Sequence, residues 1–346
     1  MFEKREDKTP LSALGEFGLI DHLTKGITRV NDTTEVGVGD DCAVLNPSGK
    51  KMLITTDLLL ENVHFDLSYT PLKHLGYKAV AVNLSDIVAM MGKPEQVVVS
   101  IAVSSKFTVE AVDEIYKGIN LCCKRYGVDL VGGDTTTSTS GLMISISAVG
   151  VARDDAYVLR SGAQQGDLVC LSGDVGASYM GLLLLQREKE VWKANPRMQP
   201  DLAGYDYILE RHLKPEPRTD IVKLLQEHEV QPTSMIDVSD GVASEILHLC
   251  KQSKKGCTLY EEKLPIDPQT ISLCESFKMN PVTAAMNGGE DYELLFTIAQ
   301  KDYPKIEAMK EIAVIGHMTE EASGAILVSH DNVVVPIEAQ GWNHLK

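Results

Sequence analysis

Apolar, β-branched runs recur along the chain at residues 51–56, 96–103, 142–151, 168–171, 293–298, 313–315, 325–328 and 333–337, and each predicts a strand. Between them apolar residues return every three or four positions over 75–91, 109–126, 176–186, 202–212, 218–228 and 242–251, which predicts helices. The run Leu142-Met143-Ile144-Ser145-Ile146-Ser147 alternates in part, as expected of a sheet with one more polar face. The helix predicted over 109–126 carries Glu110, Asp113 and Glu114 near its positive end. Pro94 is expected to stop the segment before it, and Pro215 and Pro217 punctuate the junction of two later helices. The alternation is mixed α/β. A complete strand ends at the polar stretch Ala152-Arg153-Asp154-Asp155, and a second series starts after Gly166-Asp167, so the expected domains are 1–153 and 154–346. No repeat or low-complexity tract interrupts this pattern.

Composition sharpens the picture. The 346 residues hold 33 basic against 49 acidic side chains, a net charge of −16. A protein that grips nucleic acid by its phosphates needs basic surface, so that class is disfavoured. Nucleotides remain compatible if cations lie between carboxylate and phosphate. Apolar residues at 44% supply enough material for two cores. Seven cysteines form no C-x-x-C pair, which reads as reduced thiols in a cytoplasmic protein. The opening MFEKREDKTP is too polar for a signal peptide, and no apolar stretch nears the roughly 20 residues that span a bilayer. No membrane association is expected.

The informative feature is a set of carboxylate motifs at the edges of the apolar runs. They are Gly39-Asp40-Asp41, Thr55-Thr56-Asp57, Asn83-Leu84-Ser85-Asp86, Gly132-Gly133-Asp134-Thr135-Thr136, Asp237-Val238-Ser239-Asp240-Gly241 and Gly288-Gly289-Glu290-Asp291. Each alone reads as a turn or cap. Together, with glycine for close backbone approach and hydroxyls beside the acids, they supply the hard oxygens that Mg²⁺ prefers. So many acids point to several metal ions and a polyphosphate substrate. The P-loop, dinucleotide and protein-kinase motifs are absent, as is any zinc spacing. His64 stands out among nine scattered histidines because it closes Glu61-Asn62-Val63-His64-Phe65 just after the Thr-Thr-Asp motif. The segment from Leu171 to Ser178 reads either as an anion site at a helix start or as a glycine turn capped by Asp or Ser, with the latter favoured.

These residues resemble the thiamine-monophosphate kinase family, within the superfamily of aminoimidazole ribonucleotide synthetase-like ATP-binding enzymes. The resemblance runs nearly end to end. It includes Gly15-Glu16-Phe17, Gly37-Val38-Gly39-Asp40-Asp41-Cys42-Ala43, Asn62-Val63-His64-Phe65, Arg160-Ser161-Gly162-Ala163, Arg211-His212-Leu213, the Asp-Val-Ser-Asp-Gly motif, Gly288-Gly289-Glu290-Asp291-Tyr292-Glu293-Leu294 and Gly341-Trp342. The Asn-x-His-Phe, Ser-Asp-Gly, Gly-Gly-Glu-Asp-Tyr-Glu and closing Gly-Trp elements single out this kinase within the superfamily.

The resemblance implies two α/β domains, an N-terminal ferredoxin-like sheet domain and a C-terminal α+β domain, paired as a homodimer through the N-terminal sheets. It implies ATP-dependent phosphorylation of thiamine monophosphate to thiamine diphosphate. Asp41, Thr55, Thr56, Asp57, Asp86, Asp134, Asp237 and Asp240 would bind Mg²⁺, with Asp57, Asp86, Asp134 and Asp240 central to catalysis. Tyr116, Gly133, Asp134, Arg160 and Ser239 would bind ATP, and His64, Glu290 and Trp342 would meet thiamine monophosphate. Thr55 stands where many relatives have Ser, Leu159 where many have Thr, and Thr137 where many have Arg. Rival expectations are another ATP-using enzyme of the superfamily, such as selenophosphate synthetase, and a silent nucleotide-binding scaffold. Residues 1–38 contain no cysteine, against the former. Every family carboxylate is filled, against the latter.

Overall fold

The computed structural model describes residues 9, 22–36, 44–45, 50–153 and 156–339. Asp41 and Trp342 lie outside the described residues, as do the motifs at 15–17, 37–43 and 341–342. The chain forms two compact units, one within Met1–Ile87 and Lys93–Asp154, the other within Val88–Gly92 and Asp155–Lys346.

In the first unit a short ribbon pairs β1 (Thr34–Val36) with β2 (Val44–Leu45). The main sheet uses β3 (Lys51–Leu60), β4 (Lys93–Val103), β5 (Asp129–Thr137) and β6 (Met143–Ala152) in the order β3-β6-β4-β5. Helices α1 (Leu72–Val88) and α2 (Val109–Tyr126) connect β3 to β4 and β4 to β5. Strand β3 runs four residues beyond its predicted end, because all ten of its residues pair with β6. The strand β5 is not predicted by pattern, since Gly-Gly-Asp-Thr-Thr has no apolar rhythm; parallel pairing with β4 holds it extended. Helix α1 ends at Val88, and Met91 turns the chain at φ 60°. Pro94 then sits near the start of β4, where its missing N–H disturbs the ladder least. One sheet face buries Val97, Val99, Ile101, Ile144 and Ile146. On β3 the alternate residues Met52, Ile54 and Leu58 are 43%, 70% and 45% exposed.

The second unit is built on a sheet of order β13-β12-β9-β11-β7-β10-β8. Its strands are β7 (Leu168–Ser172), β8 (Ser234–Asp237), β9 (Lys255–Tyr260), β10 (Leu294–Ile298), β11 (Ile312–Glu320), β12 (Ala325–Val328) and β13 (Val334–Pro336). Along the central strands β7, β10 and β8 both sheet faces are buried, whereas edge strand β13 is exposed. Val169 and Leu171 pack with Ile236, Leu295 and Ile246, while Cys170 packs with Phe296, Met235 and Ile221. A strand covered on both faces loses its alternation, so β7 and β10 read as plain apolar runs. The longer helices are α3 (Ala177–Ala194), α4 (Asp206–Leu213), α5 (Thr219–Glu227), α6 (Val242–Ser253), α7 (Pro268–Ser276) and α8 (Pro281–Asn287). Strands β8 and β9 and helices α7 and α8 are additions to the predicted elements. Proline at the first turn, with Asp267 and Asn280 as side-chain caps, marks the starts of α7 and α8.

Candidate active site

In the first unit Thr55 and Asp57 lie on β3 and Asp86 on α1. The Thr55 hydroxyl donates to Asp86 Oδ2 at 2.5 Å. Asn83, one helical turn before Asp86 and fully buried, accepts from the Asp57 backbone N–H at 3.0 Å and donates to Ala79 O. It thereby fixes the strand against the helix where the two carboxylates meet. Burial and the negative charge of Asp86 push the Asp57 carboxyl up to about 6. Both influences act in one direction, so Asp57 is held beside a like charge in a partly dry place.

Strand register divides the remaining candidates between two faces. Asp57 pairs with Ile146, Ile146 with Val99, and Val99 with Gly133. Because side chains alternate, Thr56 and Asp134 belong to the opposite face from Asp57. There Ser147 donates to Thr56 Oγ1 at 3.1 Å, and Thr56 donates to Ile146 O. Asp134 is exposed, in a row with Ser100, Ser145 and Leu58. A β-carbon on Gly133 would stand 2.1 Å from Val99 O, so only glycine lets β5 lie this close to β4. Tyr116 is buried on α2, and burial pushes its hydroxyl up to about 12. His64 follows β3 in a tight turn, its Nδ1 accepting from Leu60 N–H at 3.0 Å.

In the second unit two candidate loops run side by side. Asp237 ends β8, paired with Leu294, and Val238-Ser239-Asp240-Gly241 leads into α6. The residues before β10 continue the ladder: Val238 N–H donates to Glu293 O, Tyr292 N–H to Val238 O, and Glu290 N–H to Ser239 O at 2.7 Å. Glu290 and Tyr292 adopt φ of 58° and 53°, and Gly289 has φ 88° with the position of its absent β-carbon 2.6 Å from Ser239 O. The Ser-Asp-Gly and Gly-Gly-Glu motifs are therefore one interlocked device. Arg160 is exposed, and its charge is felt at buried Glu245 beside the Ser239–Asp240 turn.

Glu290 reaches His212 Nδ1 at 3.4 Å, a nitrogen that also meets Ser178 Oγ at 3.3 Å. Behind it lie acids with a different character. Glu293 is paired with Arg211 at 2.9 Å, with Arg218, and with the Ser172 hydroxyl at 2.5 Å. Asp291 accepts from Gly176 N–H at 2.7 Å and Ser178 N–H at 3.2 Å. It caps α3 from 115 residues downstream, so this helix start holds an internal carboxylate and not an external anion. The expected capping by a nearby Asp or Ser is replaced by this distant one. Burial pushes the Asp291 carboxyl up to about 7, against the pull of Arg211 and the two N–H donors.

Sequence reasoning assigns no role to Asn83, Glu245, Asp291, Glu293 or Arg211. Asn83 stands three residues before Asp86, which places both on one helix face and is a usable signal. Among the described residues no three His, Cys, Asp or Glu side chains are disposed to hold a metal by themselves. The donor set nonetheless fits Mg²⁺, which takes one or two carboxylates and completes its shell with water and phosphate oxygens. The like-charged Asp57–Asp86 pair with its hydroxyl neighbour is such a set.

Residues 39–152 match the family model described as AIR synthase related protein, N-terminal domain. The chain is 34% identical to the thiamine-monophosphate kinase of Bacillus subtilis (strain 168), over 96% of this chain and 100% of the relative. It is 35% identical to that of Aquifex aeolicus (strain VF5), over 96% and 99%. A solved structure described as AaThiL complexed with AMPPCP and TMP superposes with a TM-score of 0.75 at 34% identity, covering 98% of this chain and 100% of that one.

Proposed function

The chain belongs to the thiamine-monophosphate kinase family, and on that footing we propose that it moves the γ-phosphoryl group of ATP onto the phosphate of thiamine monophosphate, giving thiamine diphosphate and ADP. It is a phosphotransferase with a phosphate group as acceptor. The observation that carries the reading is the pair Asp57 and Asp86, held side by side with Thr55, where burial and like charge raise the Asp57 carboxyl. Such a pair is suited to a cation that arrives with a polyphosphate.

The acceptor oxygen is already ionised near neutral pH, so the chain needs no strong general base, and transfer is direct and in line. Its task is to align two polyanions whose repulsion in a partly dry site is large. Bound Mg²⁺ supplies the neutralising charge. Thr55, Asp57 and Asp86 are the proposed ligands on one face of the first sheet, Thr56 and Asp134 those on the other, and Asp41 a further one. Asn83 keeps Asp57 in place. Tyr116 and Gly133 are the proposed ATP contacts of the first unit. In the second unit Asp237 and Asp240 are the proposed ligands, Arg160 and Ser239 the ATP contacts, and Glu290, oriented by His212, a contact for thiamine monophosphate. His64 and Trp342 complete that set.

The exposed stripe of Met52, Ile54 and Leu58 supports a homodimer joined on this sheet. A cytoplasmic location is supported by cysteines that are free and buried at all six described positions, and no helix among the described residues is long and apolar enough to cross a membrane. The test is to incubate the protein with ATP, Mg²⁺ and a panel of phosphorylated acceptors. Thiamine diphosphate should form from thiamine monophosphate alone, and chelation should abolish it. A different phosphorylated product, or none, overturns the reading.

A further inference from the structure

We propose that Glu245 is a positioning residue for the nucleotide side of the site: it clamps the Ser239–Asp240 peptide and so sets the affinity for ATP with Mg²⁺ without touching either. This rests on the reading of Ser239 as an ATP contact and Asp240 as a metal ligand.

The peptide between Ser239 and Asp240 is held at both ends. Its C=O accepts from Glu290 N–H at 2.7 Å, and its N–H donates to Glu245 Oε1 at 3.0 Å. The Ser239 hydroxyl also points to Glu245 Oε1, at 3.4 Å. With its proton turned inward, that hydroxyl presents lone pairs outward, the right polarity for a hydrated cation or an amino group. Glu245 is not an ordinary helix cap. A capping-box carboxylate reaches the N–H of the cap residue itself, whereas this one reaches past Gly241, the cap residue of α6, to the residue before it. It is also 3% exposed with the Asp240 carboxylate nearby. A cap needs neither burial nor a like-charged neighbour. Holding this peptide against rotation explains both.

Removing Glu245 frees one end of the peptide while the Glu290 end stays bonded. In Glu245→Ala the KM for ATP should rise about tenfold, the equivalent of one buried hydrogen bond to a charged group, with little change in the KM for thiamine monophosphate. Glu245→Gln keeps an acceptor oxygen at the same reach and should restore most of the ATP affinity. If the alanine variant fails to fold, Glu245→Asp, one methylene shorter, should show the same split between substrates. Equal rises in both KM values, a lowered melting temperature with both KM values unchanged, or a glutamine variant as impaired as alanine would each overturn the proposal. Calorimetric titration with ATP and Mg²⁺ separates this failure from failure of the functional reading. An ATP affinity lost in Glu245→Ala, in a protein whose wild type makes no thiamine diphosphate, would remove the acceptor assignment and leave the clamp standing.

Discussion

Along the chain the acids of the two units are alike, each a short Gly, Ser or Thr motif around a carboxylate, yet the surroundings of Asp57 and Asp86 are opposite to those of Asp291 and Glu293. Asp57 meets Asp86 and a threonine hydroxyl, and the like charge adds to burial in raising it. Asp291 and Glu293 are enclosed by Arg211, Arg218, the Ser172 hydroxyl and two helix N–H groups. A buried carboxylate that has its counter-charge inside the fold cannot be removed without leaving that charge buried and uncompensated. In the proposed reading, Asp57 and Asp86 are set against each other for a positive charge that comes with the substrate. Charge balance, not motif, separates the two.

The contrast is tested first where the effect is largest. Asp57→Asn keeps shape and removes one charge from the like-charged pair, so turnover should fall by about a thousandfold or more at saturating substrates. The folded protein should survive, as judged by its circular dichroism and melting curve. Near-normal turnover at limiting Mg²⁺ would show that the pair is not where the cation acts.

The opposite substitution belongs to the other unit. Glu293→Ala leaves Arg211 and Arg218 facing each other with their shared acceptor gone. Breaking one side of such a buried network costs about 3–5 kcal/mol. Denaturant titration should register that loss as a shift of the midpoint with the slope unchanged. A loss below about 1 kcal/mol would mean that the pairing is worth no more than a surface salt bridge.

How much of this is legible in sequence depends on the distance over which each feature is decided. Helix α2 is predicted at its full span because its limits are local: Thr108 caps Ala111 N–H, and Gly127 closes the helix at φ 65°. The carboxylate motifs Thr55-Thr56-Asp57 and Ser85-Asp86 are legible for the same reason, since hydroxyl and acid are neighbours in the chain. Strand β5 escapes prediction because its polar face is set by β4 and not by its own residues. The division of Asp57 and Asp134 between two sheet faces needs the register of four strands, which no local pattern carries. Asp291 and Glu293 stand in a recognised motif, but their partners Gly176, Ser172 and Arg211 lie 82 to 121 residues away.

A third measurement uses pH. A carboxyl raised from 3.8 to about 6 penalises the folded state once it ionises. That penalty is absent below about pH 4, grows through pH 6 and is complete above it. The raised value corresponds to roughly 3 kcal/mol, reduced to about 1–2 kcal/mol by solvent reaching a partly buried group. Metal-free protein should therefore lose about that much stability from this residue between pH 4 and pH 7.5, and Asp57→Asn should recover it at pH 7.5 but not at pH 4. Removing Glu293 loses its hydrogen bonds with Ser172, Arg211 and Arg218 and should destabilise at both. Equal behaviour of the two variants would erase the distinction between the regions.

The smallest effect refines the first region alone. His64 accepts from Leu60 N–H through Nδ1, so its neutral ring carries the proton on Nε2. The turn needs only the accepting atom, whereas an acceptor-side role for thiamine monophosphate needs the donor. His64→Asn offers a carbonyl oxygen to Leu60 but no donor in the place of Nε2. Its melting temperature should stay near wild type while the KM for thiamine monophosphate rises severalfold, about 1 kcal/mol for one hydrogen bond. His64→Ala loses both atoms and should show the same KM together with lower stability. If the asparagine variant lost stability and kept its KM, His64 would be part of the turn and nothing more, and the substrate side of the first unit would have to be sought elsewhere.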